Sequence, residues 1–526
     1  MKRIHSKLAG LLLVAVLAVG ALFAYKLFVP GRDASARGGK ISSDVNVATD
    51  APVVEVVFDE LPTATLMNPS GTRIDAKRFP GFANLAAHST WYRNHTTVAD
   101  FTGRAVPAIE TGIDPDYTTL PVSSQQPHSI FTLLGGKYRF NVSEPVTHVC
   151  PPSLCNHGGS KGREGGPKSQ DSGQAGSSLT AGAFAQDAFV PPKPGEFQRW
   201  VAKIPRGGRS FNFIHFEVPH EPFHFLPDGR SYNYSPISDV ASSNAQKWAG
   251  GIGGTATTWQ RHYIQTAYAD TLTKLMIKRL KRVGIWNKAL IIVTADHGIS
   301  FDPKTYRRIA LPGNFGGIAN PPLFVKYPGQ SKGEVSDIHT HSIDIVPTTA
   351  QVLGIELPYK AEGVPISEDG LEGPITISNG LKNSVTEQFS TFLAERSLVL
   401  QSAARELGAH TGLFQLGPSS SLLGRRAPSG SARSARIDSG LDLAHVSLAR
   451  GRKVPAFVNG TIGSAAAGSV VAIGVNGRIV ATCRAFRFKG RTRWGAVVPP
   501  STLHSGSNSV GVYLVRGNRL VRVGGG

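Results

Sequence analysis

Cysteine is scarce in this chain, which has three among 526 residues, at positions 150, 155 and 483. No second cysteine pair accompanies Cys150 and Cys155, and this excludes a four-cysteine zinc site. The two residues bracket a short loop, CPPSLC, and a local disulfide bond between them fits an oxidising compartment. Cys483 lies in a predicted strand and is expected to be a small buried hydrophobic residue.

Acidic residues are outnumbered by basic ones, 36 against 56, which gives a formal net charge of +20. The deficit is greatest from Arg425 onward, where sixteen Lys or Arg residues face only Asp438 and Asp442. This segment therefore predicts a neighbour with an anionic surface. An anionic membrane lipid or an envelope polymer is the expected partner, in preference to nucleic acid. A generally basic surface without a specific partner is the alternative.

One long apolar run, Leu8 to Tyr25, lies near the N-terminus. Its length is near the lower limit for a membrane-spanning helix, roughly 17–25 residues. We therefore expect residues 1–29 to be an uncleaved anchor, with the rest of a single-pass cell-membrane protein on the extracytoplasmic side. A cleaved signal peptide is the alternative, because Val19-Gly20-Ala21 resembles a cleavage site, and the product would then be secreted.

Short apolar segments alternate with helical patterns through most of the chain, which predicts an α/β fold. The expected architecture is a three-layer α/β/α sandwich around a mostly parallel sheet, followed by a small C-terminal β-sandwich. The Asn476-Gly477 pair is well placed for a hairpin turn in that last region. The predicted strands are 51–58, 211–218, 290–293 and 321–329. A helix is predicted over 257–283, and a turn followed by a helix over 342–355.

Changes of composition suggest the domain limits. The predicted parts are a flexible tether (30–50), a catalytic domain (51–416) with a disordered insertion (156–185), a linker (417–436) and a basic β-sandwich (437–526).

Chemically competent side chains follow two predicted strands and begin one predicted helix. Asp59 and Glu60 follow the first strand, Asp296 and His297 follow the strand ALIIV, and Thr102 stands where a helix can begin. In open α/β sheets ligands bind beyond the carboxyl ends of the strands, so these groups are expected at one edge of the sheet. Together they would offer carboxylate, hydroxyl and imidazole ligands to one divalent metal ion.

In this order the motifs resemble those of the alkaline phosphatase superfamily, in particular its sulfatase-like branch. The resemblance extends over roughly residues 50–360. The matching segments are VVFDELP, FTGRAVPAIETG, VPHEPFHFLPDG, TADHG, PPLFVKYPGQ and SIDIVPT.

The resemblance implies a role for each matching residue. Asp59, Asp296 and His297 would be metal ligands, Glu60 would be a neighbouring ligand, and Thr102 would be both nucleophile and ligand. The metal would be a single divalent ion (Mn, Zn, Mg or Ca). His220 would contact the transferred group or the leaving oxygen, with His215 and His224 as weaker candidates. The predicted substrate-binding residues are His224 and Arg104, although a solvated surface arginine explains Arg104 equally well.

The nucleophile segment departs from the formylglycine sulfatases, whose nucleophile is the cysteine of a C-x-P-S-R pattern. Here the same register is Thr102-Gly103-Arg104-Ala105-Val106, and threonine cannot become formylglycine. A threonine nucleophile before a Val-Pro segment is more similar to the phosphoethanolamine transferases and lipoteichoic acid synthases. Two-zinc phosphodiesterases match less well, because His339 and His341 are more simply explained as surface or loop residues.

The predicted function is that of a metal-dependent, sulfatase-like hydrolase or transferase. It would act on phosphate esters of membrane lipid or cell-envelope substrates through Thr102. Two alternatives remain open, a sulfuric ester hydrolase and a catalytically silent protein that binds the envelope.

Overall fold

The computed structural model describes most of the chain from residue 41 onward. The described residues are 41–42, 45–155, 192, 195–233, 237, 247–367, 369–381, 383–409, 412–429, 435–438, 442–449, 451–463, 465–517 and 519–525. The predicted N-terminal segment 1–29, much of the predicted tether and the predicted insertion 156–185 lie outside them.

One prediction from the sequence, localisation through a single membrane-spanning helix, is wrong by this structure. Among the described residues, no helix combines the length and the apolar character needed to cross a membrane. The stretch 8–25, on which that prediction depended, is not among those residues.

A seven-stranded, mostly parallel sheet forms the centre of the catalytic region, in the order β3-β4-β1-β5-β6-β2-β7. Strand β6 alone runs antiparallel to its neighbours β5 and β2. The central strands are buried on both faces, as their continuous apolar runs predict for parallel strands. The strands are β1 (Val53–Asp59), β2 (Thr90–Thr96), β3 (Arg139–Ser143), β4 (Ser210–Pro219), β5 (Leu290–Ala295), β6 (Leu323–Lys326) and β7 (Glu334–His341).

Helices cover both faces of this sheet. Val54 and Val56 of β1 pack toward α2, α5 and α6, whereas Val53 and Val57 pack toward α3, α4 and α8. In the described part of the chain the helices are α1 (Thr63–Leu66), α2 (Pro80–Ala86), α3 (Thr102–Thr111), α4 (Ile130–Leu134), α5 (Glu196–Lys203), α6 (Gly251–Arg282), α7 (Phe315–Ile318), α8 (Ile345–Leu353) and α9 (Phe389–Ala403).

The remaining strands form a short hairpin and a C-terminal sheet. The hairpin consists of β8 (Ile375–Ser378) and β9 (Ser384–Glu387). The C-terminal sheet has eight mostly antiparallel strands in the order β13-β12-β16-β17-β10-β11-β15-β14. Its strands are β10 (Ala435–Ile437), β11 (Phe457–Ile462), β12 (Val470–Val475), β13 (Arg478–Arg484), β14 (Phe486–Phe488), β15 (Arg491–Val497), β16 (Val510–Arg516) and β17 (Arg519–Gly525).

The predicted fold class is confirmed, with a three-layer α/β/α region followed by a β-region. Strands β13 and β15 are distant in the sheet order but contact each other, so the C-terminal sheet folds over its own apolar face. Asn476 and Gly477 have φ values of 48° and 80° and form the β12–β13 turn, as their sequence predicts.

The C-terminal sheet packs directly on α6 and on the segment after β4. Gln260 of α6 donates to the Leu416 carbonyl (3.1 Å) and accepts from the Val497 N–H (3.0 Å). The Asn233 amide makes two hydrogen bonds with the Phe457 backbone, at 3.0 and 3.1 Å. These bonds join groups on both sides of the predicted linker. The predicted domain limits stay a prediction.

Exposed cations line the C-terminal sheet. Arg484 pairs with Glu406 and Arg493 with Asp438, whereas Arg487, Lys489 and Arg491 are exposed at the β14–β15 turn. This arrangement agrees with the excess of basic residues in the sequence. The anionic partner itself stays a prediction.

The disulfide bond between Cys150 and Cys155 is present, as the sequence predicts, and Cys483 is buried. The turn that leads into this bond is held by Glu144, whose carboxylate accepts from the backbone N–H groups of Val149 (3.0 Å) and Cys150 (2.9 Å).

Glu55 provides a test of how burial affects stability. It is 2% exposed in β1, and burial raises its pKa to about 8. A pKa raised by folding stabilises the protein at low pH, and this contribution is lost as the pH rises from about 4.5 through 8. In urea unfolding, Glu55→Gln should therefore gain stability relative to the wild type by about 1.4 kcal/mol per pH unit between pH 5 and 8.

The exposed Glu334→Gln serves as the matched control and should show no such trend. Equal pH trends in the two variants would refute the prediction. The neighbouring Glu110 adds to the wild-type trend, because burial and the charges of Glu144 and Glu55 raise its pKa.

Candidate metal and catalytic site

Three buried side chains meet at the carboxyl ends of adjacent strands. Asp59 ends β1, His215 lies in β4 and Asp296 directly follows β5. Val57 pairs with His215 and Phe58 with Ala295, so the three residues are at similar heights in the order β4-β1-β5. One ligand atom from each lies within 4.8 Å of the others. We call this group the Asp–His–Asp cluster.

The residues of the cluster fit a divalent cation. His215 Nε2 lies 3.6 Å from Asp59 Oδ2 and 4.0 Å from Asp296 Oδ2. Neither ring nitrogen of His215 makes a hydrogen bond to the described residues. Burial lowers the pKa of His215 to about 4, so the ring is neutral at pH 7, as metal ligation requires. Two buried carboxylates beside a neutral imidazole form a donor set that a cation would stabilise.

Asp296 connects the cluster to Thr102. Thr102 is the first residue of α3, and its Oγ1 donates to Asp296 Oδ2 over 2.8 Å. The other carboxylate oxygen, Oδ1, accepts from the backbone N–H groups of Glu60 (3.2 Å) and His297 (2.7 Å). The hydroxyl is thus held against a metal-ligand candidate at the positive end of a helix dipole.

His297 borders the cluster through its Nε2 atom. Its Nδ1 contacts the Gly298 carbonyl (2.9 Å) and must carry the proton in that bond, because a carbonyl oxygen only accepts. Nε2 faces the cluster and lies 3.5 Å from Asp296 Oδ2. Gly298 is required because an added Cβ would lie 2.1 Å from the Gly317 carbonyl oxygen.

Glu60 lies beside the cluster with its carboxylate turned toward Arg308. Its φ of 57° is unusual for a residue with a side chain, and both its backbone groups are held, the N–H by Asp296 and the carbonyl by His262 Nε2 (3.1 Å). Burial raises its pKa, but the charges of Arg308, His220, His297 and Arg307 outweigh burial, so the net pKa is lowered. The predicted ligand role of Glu60 therefore stays a prediction.

Two arginines complete the site, and both lie in the segment that we call the arginine loop (residues 300–311). Arg308 Nη2 lies 2.6 Å from His220 Nε2, and the same guanidinium pairs with Glu60. Arg307 pairs with Glu221 and lies 5.3 Å from the centre of the Trp248 ring. Because a guanidinium only donates, His220 Nε2 is an acceptor in this arrangement, and Nδ1–H donates to the Glu221 carbonyl.

The two predicted substrate-binding residues have their described contacts elsewhere. Arg104 donates to the Asp116 carbonyl and lies 4.3 Å from the centre of the Tyr117 ring. His224 contacts the Pro222 carbonyl through Nδ1 (2.8 Å) and packs on Phe225. The structure thus brings together Asp59, Glu60, Thr102, His220, Asp296 and His297, but gives Arg104 and His224 other partners.

His215 was predicted only as a weaker candidate, and Arg307 and Arg308 were not predicted as site residues. His215 interrupts the apolar run FIHF (213–216) inside a predicted strand, and a polar residue in such a run is the signal that could have identified it. Two adjacent arginines in a loop carry no comparable signal, because such residues are usually solvated.

A comparison with protein families finds a match over part of the chain that contributes residues to this site. Residues 196–355 match the Sulfatase family model. The predicted resemblance to the sulfatase-like branch is confirmed. The sulfatase-like match includes His215, His220, Asp296 and His297, and it begins after Asp59 and Thr102.

Two curated relatives are similar over a short stretch. Arylsulfatase K from Bos taurus is 27% identical over 104 residues, which are 19% of this chain and 18% of that protein. Arylsulfatase K from Xenopus laevis is 23% identical over 103 residues, 19% of each chain. The chain thus matches less than a fifth of the length of these relatives.

Solved structures show more distant likenesses. Phosphonate monoester hydrolase SpPMH from Silicibacter pomeroyi has a TM-score of 0.38 and 18% identity. The similarity covers 60% of this chain and 76% of the hydrolase chain. The zinc complex of the C-terminal periplasmic domain of EcEptC from Escherichia coli has a TM-score of 0.44 and 13% identity. The similarity covers 67% of this chain and 97% of that domain. At these TM-scores neither likeness bears on the function of this chain.

Proposed function

We propose that this protein is a metal-dependent hydrolase or transferase of phosphate esters, with Thr102 as its nucleophile. The observation that carries the proposal is the 2.8 Å hydrogen bond from Thr102 Oγ1 to Asp296, a member of the Asp–His–Asp cluster. A hydroxyl beside a metal site and a carboxylate acceptor is an activated nucleophile. The sulfatase-like match and the arylsulfatase relatives support an enzyme of the ester-cleaving class.

Asp59, His215 and Asp296 would hold the ion, with Thr102 and His297 at its border. When bound, the ion would lower the pKa of the Thr102 hydroxyl and neutralise charge on the phosphoryl oxygens. Carboxylate and imidazole donors together suit Zn or Mn, and Mg or Ca would require further oxygen ligands.

The chain's own groups supply the rest of the first step. The bond from Thr102 Oγ1 to phosphorus forms while the bond from phosphorus to the ester oxygen breaks, and the Thr102 proton passes to water. Arg308 neutralises a phosphoryl oxygen. The leaving oxygen takes a proton from His220, after Nε2 has been protonated and has exchanged Arg308 for the substrate.

In the second step, water or an acceptor hydroxyl attacks phosphorus. The bond from phosphorus to Oγ1 breaks, Thr102 takes a proton from water, and the attacking group gives its proton to His220. Water gives hydrolysis, and an alcohol gives transfer. Arg308 keeps its phosphoryl contact throughout, so one site serves both steps.

A sulfuric ester hydrolase is the second candidate. The match to the Sulfatase family over residues 196–355 favours it. Thr102 disfavours it, because the formylglycine route of the sulfatases is closed to threonine. A catalytically silent protein is the least favoured alternative, because the nucleophile, the cluster and the arginines converge at one edge of the sheet.

Metal content and turnover test these candidates together. Purified wild-type protein should contain about one divalent ion per chain by mass spectrometry. It should also hydrolyse bis(p-nitrophenyl) phosphate faster than p-nitrophenyl sulfate. His215→Ala should lose most of the metal and the activity, because it removes one of three ligands.

His339→Ala is the matched control, a buried histidine of the same sheet that hydrogen bonds to Thr96 outside the cluster. It should keep its metal. A metal-free wild type that is inert toward both esters contradicts both enzyme candidates, and faster sulfate turnover favours the second.

A further inference from the structure

Asp100 connects the turn that carries Thr102 to the arginine loop. It is 2% exposed and precedes Thr102 by two residues, in a segment that we call the Thr102 turn (residues 97–102). Its Oδ2 accepts from the backbone N–H of Ala310 over 2.7 Å. Ala310 follows Arg308 by two residues, so a single buried carboxylate joins the nucleophile segment to the segment with the two arginines.

The β8–β9 hairpin holds the same two segments. Ser378 donates its N–H to the Val98 carbonyl (2.8 Å) and accepts from the Asp100 N–H (3.3 Å). Asn379 donates its side-chain amide to the Ala310 carbonyl over 3.1 Å. Ala310 therefore has its N–H fixed by the Thr102 turn and its carbonyl fixed by the hairpin.

The other side of the arginine loop is also fixed. Ser300 donates its N–H to the Arg307 carbonyl over 2.9 Å, and Asn314 donates its side-chain amide to the Ile309 carbonyl over 2.9 Å. Asp100 is the link among these that ends on the Thr102 turn. Without it, the loop would keep its attachments to β5, α7 and the hairpin but would lose its direct bond to the Thr102 turn, so it could shift relative to Thr102.

A carboxylate suits this position for a second reason. Phe101 is the N-cap residue of α3, so Asp100 stands immediately before the cap, where the helix dipole favours negative charge. A buried charge is tolerated when it accepts well-aligned hydrogen bonds from the backbone.

We propose that Asp100 is a positioning residue that sets the separation between Thr102 and Arg308. A phosphoryl oxygen held by Arg308 then leaves phosphorus within reach of Thr102 Oγ1. This inference rests on the proposed function in that Thr102 is the nucleophile. The role of Asp100 in forming an anion site beside Thr102 can nevertheless be measured without turnover.

The test compares Asp100→Ala and Asp100→Asn with Asp270→Ala. Asp270 is a matched control, because it is equally buried and its Oδ1 accepts from the Phe82 N–H over 2.8 Å, on the opposite side of the sheet from α3. Both alanine substitutions should lower the melting temperature, and Asp270→Ala also removes the 3.0 Å ion pair with Lys274. Only Asp100→Ala should lower kcat/KM for bis(p-nitrophenyl) phosphate, by about 100-fold, because small misplacements of reacting groups have effects of this size.

Asp100→Asn keeps an oxygen that can accept from the Ala310 N–H, so it should be far more active than Asp100→Ala. If the charge of Asp100 mattered instead of this hydrogen bond, the two variants would be equally impaired. Metal content should be unchanged in all three variants. Titration of the metal-loaded protein with inorganic phosphate gives the independent readout, and Asp100→Ala should bind it about tenfold more weakly, with Asp270→Ala at the wild-type value.

Equal phosphate affinity in wild type and Asp100→Ala overturns the proposal, as does a loss of the same size in Asp270→Ala. A wild type that binds phosphate in an Asp100-dependent way but turns over neither ester refutes the proposed function and leaves the positioning role intact. The two failures are therefore distinguishable.

Discussion

Thr102→Ala is expected to abolish phosphodiester turnover, with a fall in kcat of about 10⁴-fold or more. The substitution removes the hydroxyl that donates to Asp296 of the Asp–His–Asp cluster and lies at the start of α3. Thr102→Ser keeps the nucleophilic oxygen and should retain activity within about tenfold of the wild type, since a missing methyl group changes packing by only about 1 kcal/mol.

The control is Thr111→Ala, at the other end of α3, where the hydroxyl donates to the Pro107 carbonyl over 2.8 Å. It should leave kcat unchanged. Acid-quenched reactions of the wild type should yield a phosphorylated peptide that contains Thr102, and Thr102→Ala should not. Turnover by Thr102→Ala at the wild-type rate would show that another group attacks phosphorus.

A chain that ends at residue 416 is expected not to fold to a stable, active state. The C-terminal sheet shares one apolar core with Leu226, Tyr232 and Ile264 of the catalytic region. Exposing these three large side chains would forfeit about 5 kcal/mol or more, against a total stability of about 5–15 kcal/mol. Arg261, 1% exposed and 4.7 Å from the Phe457 ring centre, would lose that contact as well.

Asn233→Ala tests the same interface without truncation. It removes both hydrogen bonds to the Phe457 backbone and should reduce the free energy of unfolding by about 2 kcal/mol. The exposed Asn287→Ala should have little effect. A truncated chain that unfolds cooperatively and retains turnover would show instead that residues 51–416 are an independent domain.

The sequence predicted Asp59, Asp296 and the fold because these depend on local patterns. Continuous apolar runs indicate parallel strands, and polar residues at strand ends lie at the edge where ligands bind. Thr102 followed from the same reasoning, as a hydroxyl at a helix start. These features need no knowledge of distant contacts.

The cluster's third member depends on register, which the sequence does not reveal. His215 reaches Asp59 and Asp296 because Val57 pairs with His215, across more than 150 residues of chain. The orientation of Glu60 could not be predicted from the sequence either, because its positive φ is stabilised by Asp296 and His262 from two other elements. Gln260 and Arg261 look like solvent-facing helix residues, yet both are buried against segments far away in the chain.

The segment after β4 that carries His220 has consequences for how the protein folds. Tyr232 pairs with Val454, and Asn233 bonds to Phe457, which is 224 residues further along the chain. During synthesis these partners emerge long after β4 and β5, so this side of the site cannot be completed until β11 has been made. Contacts of such long range slow folding and leave intermediates exposed. Catalytic competence should therefore be acquired late, as a property of the finished chain.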